Sequence, residues 1–327
     1  MIVDLPSTTT AAVNHALIDL RERGGAVAIG RVLTLVIITD DSTQVEESIE
    51  AANEASKEHP CRVLVVARGL KRGGTRLDAQ IRVGGDAGAS EVLVLRLYGP
   101  LADHGDSVVI PLLLADCPVV AWWPETAPTV PVQDPIGKLA QRRITDSAAA
   151  RQPLKALEIR RTCYAGGDTD LAWTRITPWR ALLASALDLP PHEDVQSVTV
   201  TGAVDSPSTD LLAGWLRSRL AVPVQRRASS SGGGISSAVL ERRSGPVELI
   251  RPDGKVGTLR QPGQPDRRVP LKRRPIRDCL SEELRRLDPD EIYQAALQAL
   301  TEVDGRRSGP AKGIRSDDTL GKIQGGP

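Results

Sequence analysis

The sequence predicts an α/β fold, in its α+β variant: two similar units, each a mixed sheet with flanking helices, joined by a middle segment rich in Trp and Pro. Leu33 to Thr39 (LTLVIIT) and Val63 to Ala67 (VLVVA) are nearly continuous apolar runs of strand length, the pattern of strands buried on both faces. Between them Val45, Ile49 and Ala52 form a helical stripe, so strand, helix and strand make a parallel pair joined by a crossover. The order strand, helix, several strands, helix returns after residue 193.

The elements follow from local pattern. Val13, Ala16, Leu17 and Leu20 mark a first helix ending at Gly24-Gly25, and Thr43 with Glu46 has capping-box spacing at the head of the second. Leu77, Ala79, Ile81 and Val83 alternate with polar residues, and the turn Gly84-Gly85-Asp86 leads into Val92 to Leu97, which predicts a hairpin. A short helix near 107–114 and a strand at 119–122 close the unit. In the middle, Pro124, Pro128, Pro131 and Pro135 punctuate a loop, and Thr177-Pro178 opens a helix containing Trp179, Leu182, Leu183 and Ala186.

The second unit opens with a strand at Val198 to Thr201. A helix follows, capped by Ser208 or Thr209 and carrying Leu211, Leu212, Trp215 and Leu216. Strands near Val224, at Ile235–Glu241, at Val247–Arg251 and at Val256–Arg260 come next, the last two meeting across Asp253-Gly254. One helix with Ile276, Leu280, Leu284 and Leu287, and another opened by Asp288-Pro289-Asp290-Glu291, finish the unit. The expected boundaries are 1–124 for the first unit, 125–192 for the connecting segment, 193–302 for the second unit and 303–327 for a disordered, Gly- and charge-rich tail.

Composition excludes several classes of function. The chain has 327 residues, 40% of them hydrophobic and 25% charged, and a net charge of +1, so no global field draws it to nucleic acid or to a membrane. The longest apolar stretch, Val108 to Ala115, contains Pro111 and falls far short of the roughly 20 residues that span a bilayer. Cys61, Cys117, Cys163 and Cys279 form no C-x-x-C pair and read as reduced, mostly buried thiols of a cytoplasmic protein.

No catalytic motif stands out. The four histidines and four cysteines make no metal-ligand spacing, His104-Gly105-Asp106-Ser107 reads as a helix start, and no G-x-S-x-G elbow is present. Gly84 to Gly88 and Ser229 to Gly234 lie between strands, whereas a dinucleotide loop must open a helix. Arg260 to Arg277 is basic but carries no aromatic residue for stacking on bases. Four of five tryptophans, Trp122, Trp123, Trp173 and Trp179, fall in or beside the middle segment, near Asp146, Ser147, Arg175 and Arg180. Trp and Arg are enriched at interface hot spots, which makes these eight residues candidate partner contacts. Rings that seal the junction between the units are the equal alternative.

Seven strings in order resemble the OpcA family: Glu58-His59-Pro60-Cys61-Arg62, Arg76-Leu77-Asp78-Ala79-Gln80, Trp122-Trp123-Pro124, Thr145-Asp146-Ser147, the run Asp170 to Arg180, Gln261 to Arg267, and Arg285 to Glu291. That resemblance implies a bacterial, non-catalytic assembly factor that binds glucose-6-phosphate dehydrogenase in the oxidative pentose phosphate pathway. It implies no cofactor, no metal and no catalytic residue. The thioredoxin-linked control of photosynthetic relatives is not carried over, because no cysteines pair in this sequence. A second reading is a sensor or enzyme binding a sugar phosphate or NADPH in a cleft between the units, through Asp146, Ser147, Arg175 and Arg180. A nucleic-acid binder using Arg260 to Arg277 ranks last.

Overall fold

The computed structural model describes residues 1–24, 30–40, 44–83, 91–229 and 233–306. Two sheets organise them. The first has eight strands: β1 (Ile2–Leu5), β2 (Leu33–Asp40), β3 (Cys61–Arg68), β4 (Arg76–Arg82), β5 (Glu91–Tyr98), β6 (Val119–Trp122), β7 (Arg142–Thr145) and β8 (Asp168–Asp170), in the order β1-β4-β5-β3-β2-β6-β7-β8. From β5 to β8 all neighbours are parallel, while β4 pairs antiparallel with both β5 and β1.

Burial on both faces explains the apolar runs. In β2, Val36 and Ile38 face one core with α1 (Thr10–Gly24) and α3 (Gly105–Val109); Leu35 and Ile37 face the other with α2 (Gln44–Ser56). The crossover through α2 joins β2 to β3 in parallel, as the sequence pattern requires. The expected hairpin is β4 with β5, Leu77 opposite Leu97. Its turn at 84–90 lies outside the described residues, as do Thr43 of the capping box, Gly25, most of the Ser229 to Gly234 loop, and residues 307–327 of the expected tail.

The middle segment contributes α4 (Pro153–Thr162), α5 (Leu171–Thr174) and α6 (Thr177–Leu187), besides β7 and β8 at the edge of the first sheet. The second sheet has six strands, β9 (Ser197–Ala203), β10 (Val224–Ser229), β11 (Ile235–Glu241), β12 (Val247–Ile250), β13 (Val256–Arg260) and β14 (Arg267–Pro270), in the order β10-β9-β11-β12-β13-β14. Only β9 and β10 are parallel, joined through α7 (Pro207–Leu220). Val198, Val200, Ala238, Leu240, Val247 and Leu249 point inward against α7 and α9 (Glu291–Gln298). Their strand neighbours are half-exposed, so this sheet is covered on one face.

Three local expectations need correction. Ser206, not Ser208 or Thr209, caps α7: its hydroxyl accepts the Thr209 N–H, and Pro207 takes the first turn. Asp290, not Asp288, caps α9, which leaves Pro289 outside the helix. Helix α8 (Ile276–Arg285) does not finish the second unit. It packs on α2, with Cys279, Leu280 and Leu284 in the core of the first sheet. An apolar stripe states that a helix is covered but not by which sheet.

Candidate functional site

Four of the eight candidate residues, Trp122, Trp123, Asp146 and Ser147, sit at or just after the ends of β6 and β7, and the other four lie on and after α5 and on α6. Trp122 is the last residue of β6, Asp146 and Ser147 directly follow β7, and Asp170 is the last residue of β8. These strands are parallel neighbours, so their carboxyl ends lie side by side, the position at which open α/β sheets place ligands and partners.

Alternation along the chain sends Trp122 to one face of the sheet and Trp123 to the other, into separate cores. Both rings are 1% exposed, as is Trp173, and Trp179 is 3% exposed. The tryptophans thus pack in the interior, with Trp173 and Trp179 inside the core of the second sheet. Burial of this extent leaves little of any of the four rings at the surface, although Trp173 and Trp179 each line a cavity.

Polar groups at the strand ends satisfy one another. Arg175, after α5, donates from Nη1 and Nη2 to the two oxygens of Asp146 at 2.7 and 2.6 Å, a bidentate pair buried on both sides. Asp170, completely buried, accepts from the hydroxyls of Thr145 and Ser147 and from the amides of Ser147 and Ala172. Burial, reinforced by neighbouring Asp146, raises its pKa to about 6.

Two cavities flank the Arg175–Asp146 pair. One of about 270 Å³ includes Asp146, Ser147, Lys155 and Arg160 in its wall. The other, about 250 Å³, lies between the connecting segment and the second unit and is walled by Arg175, Trp179, Ser206, Arg251 and Arg273. A third, larger cleft of about 730 Å³ holds Trp173 and Arg180 with Arg142, Arg286, Glu291 and Ile292. There the Arg180 guanidinium lies 3.7 Å from the centre of the Trp173 ring, a cation–π contact. The four residues proposed to hold a sugar phosphate therefore divide among three places.

Sequence reasoning missed the polar rivet joining α8 to this edge. Glu283 accepts from Arg142 on β7, from Thr169 on β8 and from Thr174 on α5. An acidic residue inside an amphipathic helix carries no sign of this partnership. Of the seven basic residues in the stretch 260–277, Arg260 is paired with Asp266 and Arg274 with Glu282.

Sequence models of two adjoining family domains match the chain: the glucose-6-phosphate dehydrogenase subunit N-terminal domain over residues 52–162 and its C-terminal domain over residues 166–297. The chain belongs to the OpcA family. These OpcA domains contain all seven motif strings entirely, and the two matches meet between α4 and β8. No curated protein sequence matches the chain. Among solved structures, the 3-ketoreductase KijD10 from Actinomadura kijaniata is 8% identical over 83% of this chain and 98% of that one, with a TM-score of 0.45. Biliverdin reductase from Synechocystis is 9% identical over 83% and 96%, with a TM-score of 0.40. A glucose-6-phosphate dehydrogenase with its substrate is 8% identical over 82% and 86%, with a TM-score of 0.33. Likeness this slight carries no conclusion about the OpcA chain. Among the described residues no helix is long and apolar enough to cross a membrane, and no three His, Cys, Asp or Glu side chains group as metal ligands.

Proposed function

We propose that this chain is a non-catalytic assembly factor that binds glucose-6-phosphate dehydrogenase and favours its active oligomeric state. The tandem family match over residues 52–162 and 166–297 carries the reading. The partner shifts only as far as its two states differ in affinity for this chain, so the surface must distinguish them.

The buried tryptophans leave the docking role to the rim around Trp173. Arg180, stacked on that ring, shares its cleft with exposed Arg286, Glu291 and Ile292, which combine an apolar side chain with charges of both signs. A rim of this composition suits a folded protein surface.

The test is to mix the purified chain with the cognate dehydrogenase and follow mass by light scattering, together with dehydrogenase activity. Co-elution with a change in oligomeric state or activity supports the reading; separate elution with neither change refutes it. The double variant Arg286→Glu, Ile292→Asp keeps the fold and loses co-elution if this rim is the docking face. Undiminished binding places the contact elsewhere on the chain.

A further inference from the structure

We propose that the cavity between the connecting segment and the second unit binds the phosphate group of a small phosphorylated metabolite. The proposal is independent of dehydrogenase binding.

The cavity is built at the carboxyl end of a strand-helix-strand unit. Strand β9 runs into α7, and β10 returns parallel to β9. Helix α7 is 14 residues long and presents its capped amino end, Ser206 to Ser208, to the cavity. Ser206 donates its amide to the Ala203 carbonyl, Pro207 has no N–H and the Thr209 amide is taken by the Ser206 hydroxyl, so the Ser208 amide and the helix dipole are what favour an anion there.

Arg251 supplies an independent indication. Its side chain lines the same cavity and is 95% buried, at 5% exposure. Nη1 donates to the Leu271 carbonyl at 2.8 Å and Nη2 to the Ile235 carbonyl at 2.7 Å, which hold the group in place. Its Cζ lies 5.2 Å from the Trp179 ring. Nε meets no acceptor, and no described carboxylate lies within 4.0 Å of the guanidinium. Asp253 acts on this cation only from beyond ion-pair distance, so its burial remains costly, and an anion entering the cavity relieves that cost.

Two further arginines face the same space. Arg273 is exposed at the cavity's edge and makes no ion pair with a described carboxylate, and partial desolvation with neighbouring Arg175 lowers its pKa. Arg175 is committed to Asp146 through both terminal nitrogens, yet its buried Nε is unpartnered. The lining carboxylate Asp205 is exposed and pairs with no described cation. Three guanidinium groups around one helix start match the several oxygens of a phosphate monoester. The volume of about 250 Å³ falls below the roughly 300–1,000 Å³ of drug-sized pockets, so a phosphorylated sugar suits it better than a dinucleotide.

Calorimetry and melting curves of the full chain test this with a hexose phosphate, the same hexose without phosphate, and inorganic phosphate. The hexose phosphate should bind and raise the melting temperature, inorganic phosphate should compete with it, and the free hexose should do neither. Arg273→Ala, whose side chain makes no fold-stabilising bond, should melt like the parent and bind about ten-fold or more weakly. Arg251→Lys should also weaken binding, since one ammonium cannot hold two carbonyls and face the anion. Absence of binding at millimolar hexose phosphate overturns the proposal. So does undiminished binding by both variants, failure of inorganic phosphate to compete, or equal binding of the free hexose.

Discussion

The indole Nε1 of Trp173 donates to Oδ2 of Asp290 at 2.8 Å, while Oδ1 of the same carboxylate accepts the amides of Ile292 and Tyr293 at the start of α9. One aspartate thus caps a helix and holds a ring from a segment more than a hundred residues earlier. Removing the carboxylate in Asp290→Ala should cost about 1–3 kcal/mol, because a cap and a buried acceptor go together. Trp173→Phe keeps the cap and most of the packing and should cost less. A double-mutant cycle by urea unfolding checks both values, and additive costs would show that the two groups are uncoupled.

The Arg175–Asp146 pair is buried on both sides, so either single truncation strands a charge. Arg175→Met should destabilise by about 3–5 kcal/mol, and Arg175→Met with Asp146→Asn should recover part of that loss. Chemical denaturation of the three proteins measures it. Equal stability of the single variant and the parent would exclude a structural role for the pair.

Cys61 and Cys279 are wholly buried, and desolvation pushes both thiols up to about 12; Cys117 and Cys163 are partly exposed. Only thiolate reacts, so a neutral alkylating reagent should modify Cys117 and Cys163 in the folded protein and reach the other two after unfolding. Peptide mapping by mass spectrometry distinguishes the two sets.

Asp170 makes stability depend on pH with an unusual sign. Its pKa of about 6 in the folded protein lies above the ordinary carboxylate value near 3.9. Between about pH 4 and 6 the folded protein keeps a proton that the unfolded chain has lost, so this contribution to stability falls as pH rises and is flat above that window. Asp170→Asn should abolish the dependence. It should also lower stability at neutral pH: the Thr145 and Ser147 hydroxyls can turn to accept from an amide, but the Ser147 N–H cannot. Urea midpoints from pH 4 to 8 for both proteins check the slope.

The apolar strands were legible in sequence because pattern and burial agree. The run Leu33 to Thr39 is buried residue by residue, and alternating Leu77, Ala79 and Ile81 lie opposite Leu97, Leu95 and Leu93. Strands β7 (RRIT) and β8 (DTD) were not legible: almost every residue is polar, and all are buried. Their burial depends on partners far along the chain, Arg142 on Glu283 and Arg143 on Asp168, which no local window contains. At the candidate site the sequence singled out Trp122, Asp146 and Ser147, which the fold brings to the ends of β6 and β7. It could not distinguish a tryptophan that seals a core from one that meets a partner, since both roles select the same large ring.

The crossing of α8 onto the first core bears on how the polypeptide is made. When the first eight strands have left the ribosome, the groove that Cys279, Leu280 and Leu284 will occupy is still open to water. It closes only after residue 285 emerges, so an amino-terminal fragment ending in the middle segment should aggregate when expressed alone and be rescued by supplying the remaining half in trans.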